Sequence, residues 1–159
     1  REQEVEKVNL YIETDLKGPR RRDGRYIYRL ECLTSKGTQT RDARGTMEQA
    51  TENQLTVTAL DEALKRLLRP VKLTIWLSCE YVAGALRNSW PEKWEKEGWM
   101  NSKGKPVADA EKWQSVLGKI RIHEIEVRTG ERHEYASWMK TELEKMQSCT
   151  GATERSKDV

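Results

Sequence analysis

Five cations, Lys17, Arg20, Arg21, Arg22 and Arg25, crowd one short segment with only Asp23 to offset them. Basic groups at that density can contact phosphates and release the counterions condensed on a nucleic acid. An ordinary solvated turn is the competing reading. A second concentration is aromatic: Trp90, Trp94, Trp99 and Trp113 stand at fixed offsets around Gly98 and a Lys105-Pro106-Val107 helix start. Large rings at helical or loop-closing positions usually pack, which turns Trp99 and Trp113 inward. Trp90 and Trp94 remain as rings able to stack on a sugar or flank a phosphate channel. Cys32, Cys79 and Cys149 are an odd number without CxxC spacing, which argues against a zinc site and against a disulfide framework.

The elements that must hold these groups run strands first, then helices. Val8 to Thr14 alternates and is β-rich, and it breaks at Lys17-Gly18-Pro19 into the basic turn Arg20 to Arg25. Tyr26 to Thr34 reads as a second strand, turned by Ser35-Lys36-Gly37 into a third, Thr38 to Arg44. Thr51 then caps a helix whose Leu55, Ala59, Leu60, Ala63, Leu64 and Leu67 recur at helical spacing up to Pro70. Val71 to Leu77 is nearly continuous in apolar character and is expected inside the sheet. A helix from Cys79 to Arg87 follows, then the tryptophan region, a fifth strand from Ile120 to Val127 with His123 on its surface, and a last helix from Glu134 to Met146. Residues 147 to 159 are polar and lack apolar periodicity, so the domain is expected to span 1–146 with a frayed tail beyond it.

The run from Leu86 to Val116, LRNSWPEKWEKEGWMNSKGKPVADAEKWQSV, resembles the one that ribonuclease HI proteins carry through their two middle helices and the basic loop between them. The resemblance implies the α/β ribonuclease H fold: a five-stranded mixed sheet in the element order βββαβ, helices, βα, with helices on both faces. It also implies two-metal hydrolysis of the RNA strand of an RNA/DNA hybrid, with carboxylates holding Mg²⁺ or Mn²⁺. Four positions carry that chemistry in the family. Thr14-Asp15-Leu16 keeps the first, as Asp15. The helix glutamate falls on Thr56, and the aspartate after the fourth strand falls on Ser78 within Leu77-Ser78-Cys79-Glu80-Tyr81-Val82. The fourth falls on Tyr135 or Ser137, after a shortened Arg128 to His133 loop in which His133 could stand for the family's histidine.

A hydroxyl brings no formal charge, so replacing carboxylates by Thr56 and Ser78 is expected to lose the metal pair. No cofactor is then required. If activity persists, Asp15 must be joined by displaced ligands, for which Glu13, Glu52, Glu80 and Glu134 stand near the four positions. By the same resemblance Asn53 contacts the minor groove of the hybrid, for which a carboxamide is a sound donor and acceptor; a polar residue at the start of a helix is the plainer reading. The loop's basic character is diluted, since Glu92, Glu95 and Glu97 alternate with Lys93 and Lys96.

The bulk numbers are those of one domain in a reducing, cytoplasmic setting. At 159 residues with 35% charged side chains, the chain can bury a core and shows neither an apolar run long enough to cross a bilayer nor a visible signal peptide. A formal net charge of +3, from 29 basic and 26 acidic groups, decides nothing about nucleic acid by itself. The leading expectation is a catalytically inactive or strongly impaired ribonuclease HI-like domain that binds RNA/DNA hybrid or other nucleic acid. An active hybrid endoribonuclease with displaced ligands and a protein-interaction module reusing the fold are the alternatives.

Overall fold

In the computed structural model, which describes residues 6–158 and side chains from 6 to 147, the sheet is built on β1 (Lys7–Thr14). β1 pairs antiparallel with β2 (Arg22–Thr34), and β2 with β3 (Gly37–Ala50). On its other side β1 pairs parallel with β4 (Lys72–Trp76), and β4 with β5 (Glu124–Arg128). The strand order β3-β2-β1-β4-β5 puts β1 at the centre and β4 inside the sheet, as its apolar run requires.

The alternation of β1 divides the core. Val8, Leu10 and Ile12 face α1 (Glu52–Leu64), α2 (Glu80–Arg87) and α4 (Ala110–Ile120), where Trp113, Leu117 and Leu60 are fully enclosed. Tyr11 and Ile27 point to the opposite face and pack under Met139 and Leu143 of α5 (Ala136–Asp158). The helices therefore lie on both faces, and the periodicity of two on a central strand explains why both faces of β1 are covered. α3 (Trp90–Lys96) leans on the α2 and α4 side. Thr51 caps α1 by accepting from the Gln54 N–H, while the Gln54 side chain reaches back to the Thr51 N–H, a reciprocal arrangement that satisfies two donors at the helix start.

Several boundaries move from their sequence expectation. β2 begins at Arg22, inside the segment expected to be turn, and β3 continues past Arg44 to Ala50. Gly24 suits this: a Cβ there would come within 2.6 Å of the Leu16 and Leu55 side chains, which would have to shift to admit it. His123 is not on a strand. It lies between α4 and β5, where its Nδ1 accepts from the Val71 N–H at 3.1 Å and its Nε2 is buried without a partner. Burial pushes its pKa down, favouring the neutral ring. Ile120, read as the start of that strand, instead ends α4. The last helix does not stop at Met146 but runs to Asp158, because a single Gly151, costing about 1 kcal/mol relative to alanine, does not outweigh its helix-forming neighbours. The side chain of Cys149 lies outside the described residues. No helix among the described residues is long and apolar enough to cross a membrane.

Candidate functional site

A cleft of about 870 Å³ opens where β1 ends, between the Ser78 turn after β4 and the first turns of α5. Parallel pairing of β1 with β4 brings the two strand ends together, so Asp15, Glu13 and Ser78 share this cleft with Arg132, Lys140 and Gln147. Two of the expected positions thus meet, and Ser137, one candidate for the fourth, also lines the wall. Tyr135, the other candidate, does not. Its hydroxyl lies on the same α5 face as Tyr11 and donates to Glu31 at 2.5 Å. Thr56 is not among the lining residues; it is buried, lies beside the Cys79 thiol and spends its hydroxyl on the Glu52 carbonyl at 2.9 Å.

Asp15 is already neutralised. One oxygen accepts from the Arg25 N–H at 2.7 Å, and the other accepts from the Arg25 guanidinium and from the Gln147 amide, both at 3.0 Å. The side chains of this pair are only 11% and 15% exposed, so Arg25 is an internal counterion and not part of an outward basic tip. A second hard cation there would have to compete with a guanidinium that is both charged and hydrogen-bonded.

The possible substitute carboxylates diverge. Glu13 remains in the cleft, with His133 Nε2 at 3.1 Å and the Ser78 hydroxyl at 3.4 Å. Glu52 is held by the Gly18 N–H at 3.0 Å and by Lys17 at 3.8 Å. Glu80 meets Thr129 at 3.4 Å. Glu134 turns toward Glu31, whose hydrogen bond and charge raise its pKa. Among the described residues no three His, Cys, Asp or Glu side chains converge in a way that could hold a metal ion. Two Mg²⁺ ions need several anionic oxygens at short range, and the residues present do not fit them.

The other candidates separate in the same way. Arg21 leaves the surface cluster to bond the Gln49 carbonyl at 3.2 Å and Gln54 at 3.0 Å, while the chain of Arg22 enters β2. Arg20, Arg21 and Arg22 all remain exposed. Trp90 and Trp94 are half-buried and join a chain of rings that runs from Tyr81 through Trp90 and Trp94 to Trp113, with centroids 5.5 to 6.2 Å apart. Trp94 is thereby closed against Trp113 edge to face. Trp99 packs on the same cluster. Asn53, in the first turn of α1, accepts at its Oδ1 from the Cys79 thiol at 3.1 Å.

Sequence reading missed two participants. Gln147 was assigned to a tail, yet it bonds Asp15. Glu31 is a buried carboxylate accepting from Asn9 at 2.9 Å, Tyr11 at 3.3 Å and Tyr135. Burial pushes its pKa up, but the donors of Tyr135 and Asn9 more than offset that and hold it below the usual carboxylate range, while the same carboxylate pushes Tyr135 up to about 12. His133, which the sequence did single out, has a side chain only 5% exposed that packs on Tyr11 with centroids 4.7 Å apart. The only sequence signal for Glu31 was a charged residue, two positions after Arg29, among the apolar residues of Tyr26 to Thr34.

Comparison with known proteins bears directly on this arrangement. The chain is 31% identical over 90 residues to Ribonuclease H of Symbiobacterium thermophilum and 33% identical over 93 residues to Ribonuclease H of Thermoanaerobacter sp. (strain X514). These matches cover 57% and 58% of this chain and 61% and 59% of the relatives, so the chain spans about three fifths of their length. Among solved structures, a type 1 RNase H with the type 2 active-site motif superposes with TM-score 0.68 at 17% identity, over 84% of this chain and 67% of its own. The foamy viral protease-reverse transcriptase in complex with RNA/DNA hybrid superposes with TM-score 0.62 at 13% identity, over 87% of this chain and 19% of its own. At those identities the structures establish the fold. The RNase H family model matches residues 18–136, well over half of the sequence, and the chain belongs to the RNase H family.

Proposed function

We propose that this chain is an RNase H domain that grips RNA/DNA hybrid or a related duplex without cleaving it. The observation that carries the reading is the state of Asp15: the one retained carboxylate of the family set is committed on both oxygens to Arg25 and Gln147. Thr56 and Ser78 add no charge beside it, and Glu13 is paired with His133. A cleft with this donor set has no means to assemble the two cations that would activate water and stabilise the leaving oxygen. Support for nucleic acid comes from family membership, from the fold shared with the hybrid-bound foamy viral enzyme, and from the exposed cations Arg20 and Arg22.

Hybrid cleavage is the direct test. Purified protein with RNA/DNA hybrid is expected to release no product above the level of its Asp15→Asn variant, with Mg²⁺ or with Mn²⁺. Metal-dependent turnover that Asp15→Asn abolishes would overturn the reading and favour displaced ligands. Binding is tested separately by titrating labelled hybrid at several salt concentrations. Replacing Arg20 and Arg22 by alanine should lower the steepness of the salt dependence by about one unit of slope per lost phosphate contact. Arg21→Ala is expected to have the smaller effect on slope, since its guanidinium is occupied by Gln49 and Gln54. A slope that none of the three changes removes the turn from the interface.

A further inference from the structure

We infer that the outer edge of β3 is a self-complementary surface on which a second copy of this chain docks antiparallel, about a two-fold axis at Ala43, joining two five-stranded sheets into one. β3 ends the strand order, so along its 14 residues the backbone groups that point away from β2 meet no further strand among the described residues. Its ladder with β2 is unbroken from Gly37 to Met47, and no proline interrupts it. A regular edge of that length is a template for pairing with another chain unless its side chains forbid it.

The order of charges along β3 decides what can pair. Ala43 and Met47 pack toward the α1 layer, and a Cβ on Gly45 would meet the Tyr26 ring on that side. Asp42 and Arg44 project to the opposite face, where Asp42 accepts from Arg29 at 3.2 Å and Arg44 donates to Glu142 of α5 at 2.6 Å. Both keep a solvent-facing part, with side chains 28% and 34% exposed. Arg44 also donates to Asp42 of its own strand at 3.2 Å, so a turn outward across the roughly 4.8 Å between neighbouring strands brings it to a second copy.

Symmetry then selects the register. When two antiparallel strands are related by a two-fold axis perpendicular to the sheet, directly opposed residues share a face, so the axis must pass at a residue and not between two. Centred on Ala43, the pairing sets Asp42 opposite Arg44 of the second copy and Arg44 opposite its Asp42, at the spacing where unlike charges attract. Arg41 then faces Gly45, which leaves it room, and Thr40 faces Thr46. Moving the axis to Arg41, Asp42 or Arg44 opposes like charges on it, and moving it to Gly45 sets Asp42 against Glu48. An axis at Thr46 would match Arg44 with Glu48 but carries the ladder through Gln49, whose φ of +49° leaves the extended region. The occupant is a second copy because the Asp42 and Arg44 signs are matched by their own reverse, whereas a neutral or single-sign strand would gain neither pair.

Sedimentation of the full chain over a concentration series reaching the millimolar range is expected to show a monomer and dimer in equilibrium. Asp42→Arg alone and Arg44→Glu alone should each weaken association about tenfold or more, because two attractive pairs become two repulsive ones. Mixed in equal amounts, the two variants should recover association to within about threefold of the parent, since every opposed pair in the mixed dimer again joins unlike charges. Crosslinking is a second readout, and it decides the matter if either charge variant fails to fold. Ala43→Cys places two thiols across the axis at a Cα separation of about 4.5–5.5 Å, within disulfide reach, and should give a covalent dimer with diamide. Thr40→Cys leaves its two thiols roughly 20 Å apart and should give no more dimer than the parent, whose own cysteines set the background. A parent that stays monomeric throughout, a mixture no stronger than its components, or equal crosslinking from positions 40 and 43 overturns the inference.

Discussion

Thr56→Glu combined with Ser78→Asp and Arg25→Gln is expected to give a protein whose thermal midpoint rises with Mg²⁺ or Mn²⁺, where that of the parent is expected to stay constant. Ser78 already lines the cleft with Asp15, so an aspartate there lies on the same wall. Thr56 is 2% exposed behind it, and a glutamate brings both reach and a charge that has no cation nearby. Arg25→Gln removes the guanidinium that now neutralises Asp15, while the Arg25 backbone N–H remains to hold the carboxylate in place. The longer side chain at position 56 is expected to bring a third anionic oxygen group to the two on the cleft wall, a donor set suited to a hard cation. Without metal they repel, and the apo variant should be less stable than the parent. With metal at a concentration about 100-fold above its dissociation constant, binding should contribute about 2.7 kcal/mol, or roughly 5–10 °C in midpoint for a domain of this size. Thermal melts of parent and variant across a metal titration decide it. A folded variant whose midpoint ignores metal would mean that positions 56 and 78 are not where the family's carboxylates stand.

The second large effect concerns stability. Asp61 of α1 is 2% exposed and faces α4, where the Ser115 hydroxyl donates to it at 2.7 Å and the Lys119 ammonium at 2.9 Å. Lys65 is more distant, at 3.9 Å. Lys119→Met leaves a buried carboxylate with one hydroxyl and a remote, exposed cation, and should cost about 2–4 kcal/mol. Asp61→Asn should cost less, about 1 kcal/mol, because the Lys119 side chain is 29% exposed and can turn to water. Urea unfolding of both variants at pH 7 gives the comparison, and equal losses would show that the ion pair does not discriminate between its partners.

The same pair sets a pH dependence. Burial pushes the Asp61 carboxyl up, but hydrogen bonds and charge from Lys119, with Ser115, more than offset this and hold its folded pKa below the ordinary carboxylate range. The unfolded chain therefore binds the proton more readily, and the contribution of Asp61 is present above its unfolded pKa, near 4, and lost as pH falls through the folded value. Lys119→Met reverses the balance, leaving burial dominant and the carboxyl raised. Protonation then relieves the variant, so the stability gap between parent and Lys119→Met should narrow on going from pH 7 toward pH 4. A gap that widens on acidification would contradict the assignment.

Family, fold class and element order were legible in the sequence because each depends on local pattern. Apolar alternation on β1, helical spacing from Leu55 to Leu64, the capping residues Thr51 and Gln54, and the tryptophan offsets around Gly98 all act over a few residues. The expectation that Thr56 and Ser78 stand where the family carries carboxylates rests on residue identity in the resemblance alone and is what the metal titration above tests. What could not be read was direction. Arg25 counted as a phosphate-facing cation until pairing of β1 with β2 turned it onto Asp15, and Gln147 counted as tail until α5 carried it across to the same carboxylate. His123 moved from a strand surface to a buried contact with Val71 because α4 absorbed Ile120. Glu13, Glu52, Glu80 and Glu134 lie near the four family positions along the chain, yet their side chains leave toward His133, Gly18, Thr129 and Glu31. Sequence proximity sets which strand end or helix turn a charge belongs to. Only packing of the sheet against its two helical layers decides which partner neutralises it, because that choice is made between groups 10 to 132 residues apart in the chain.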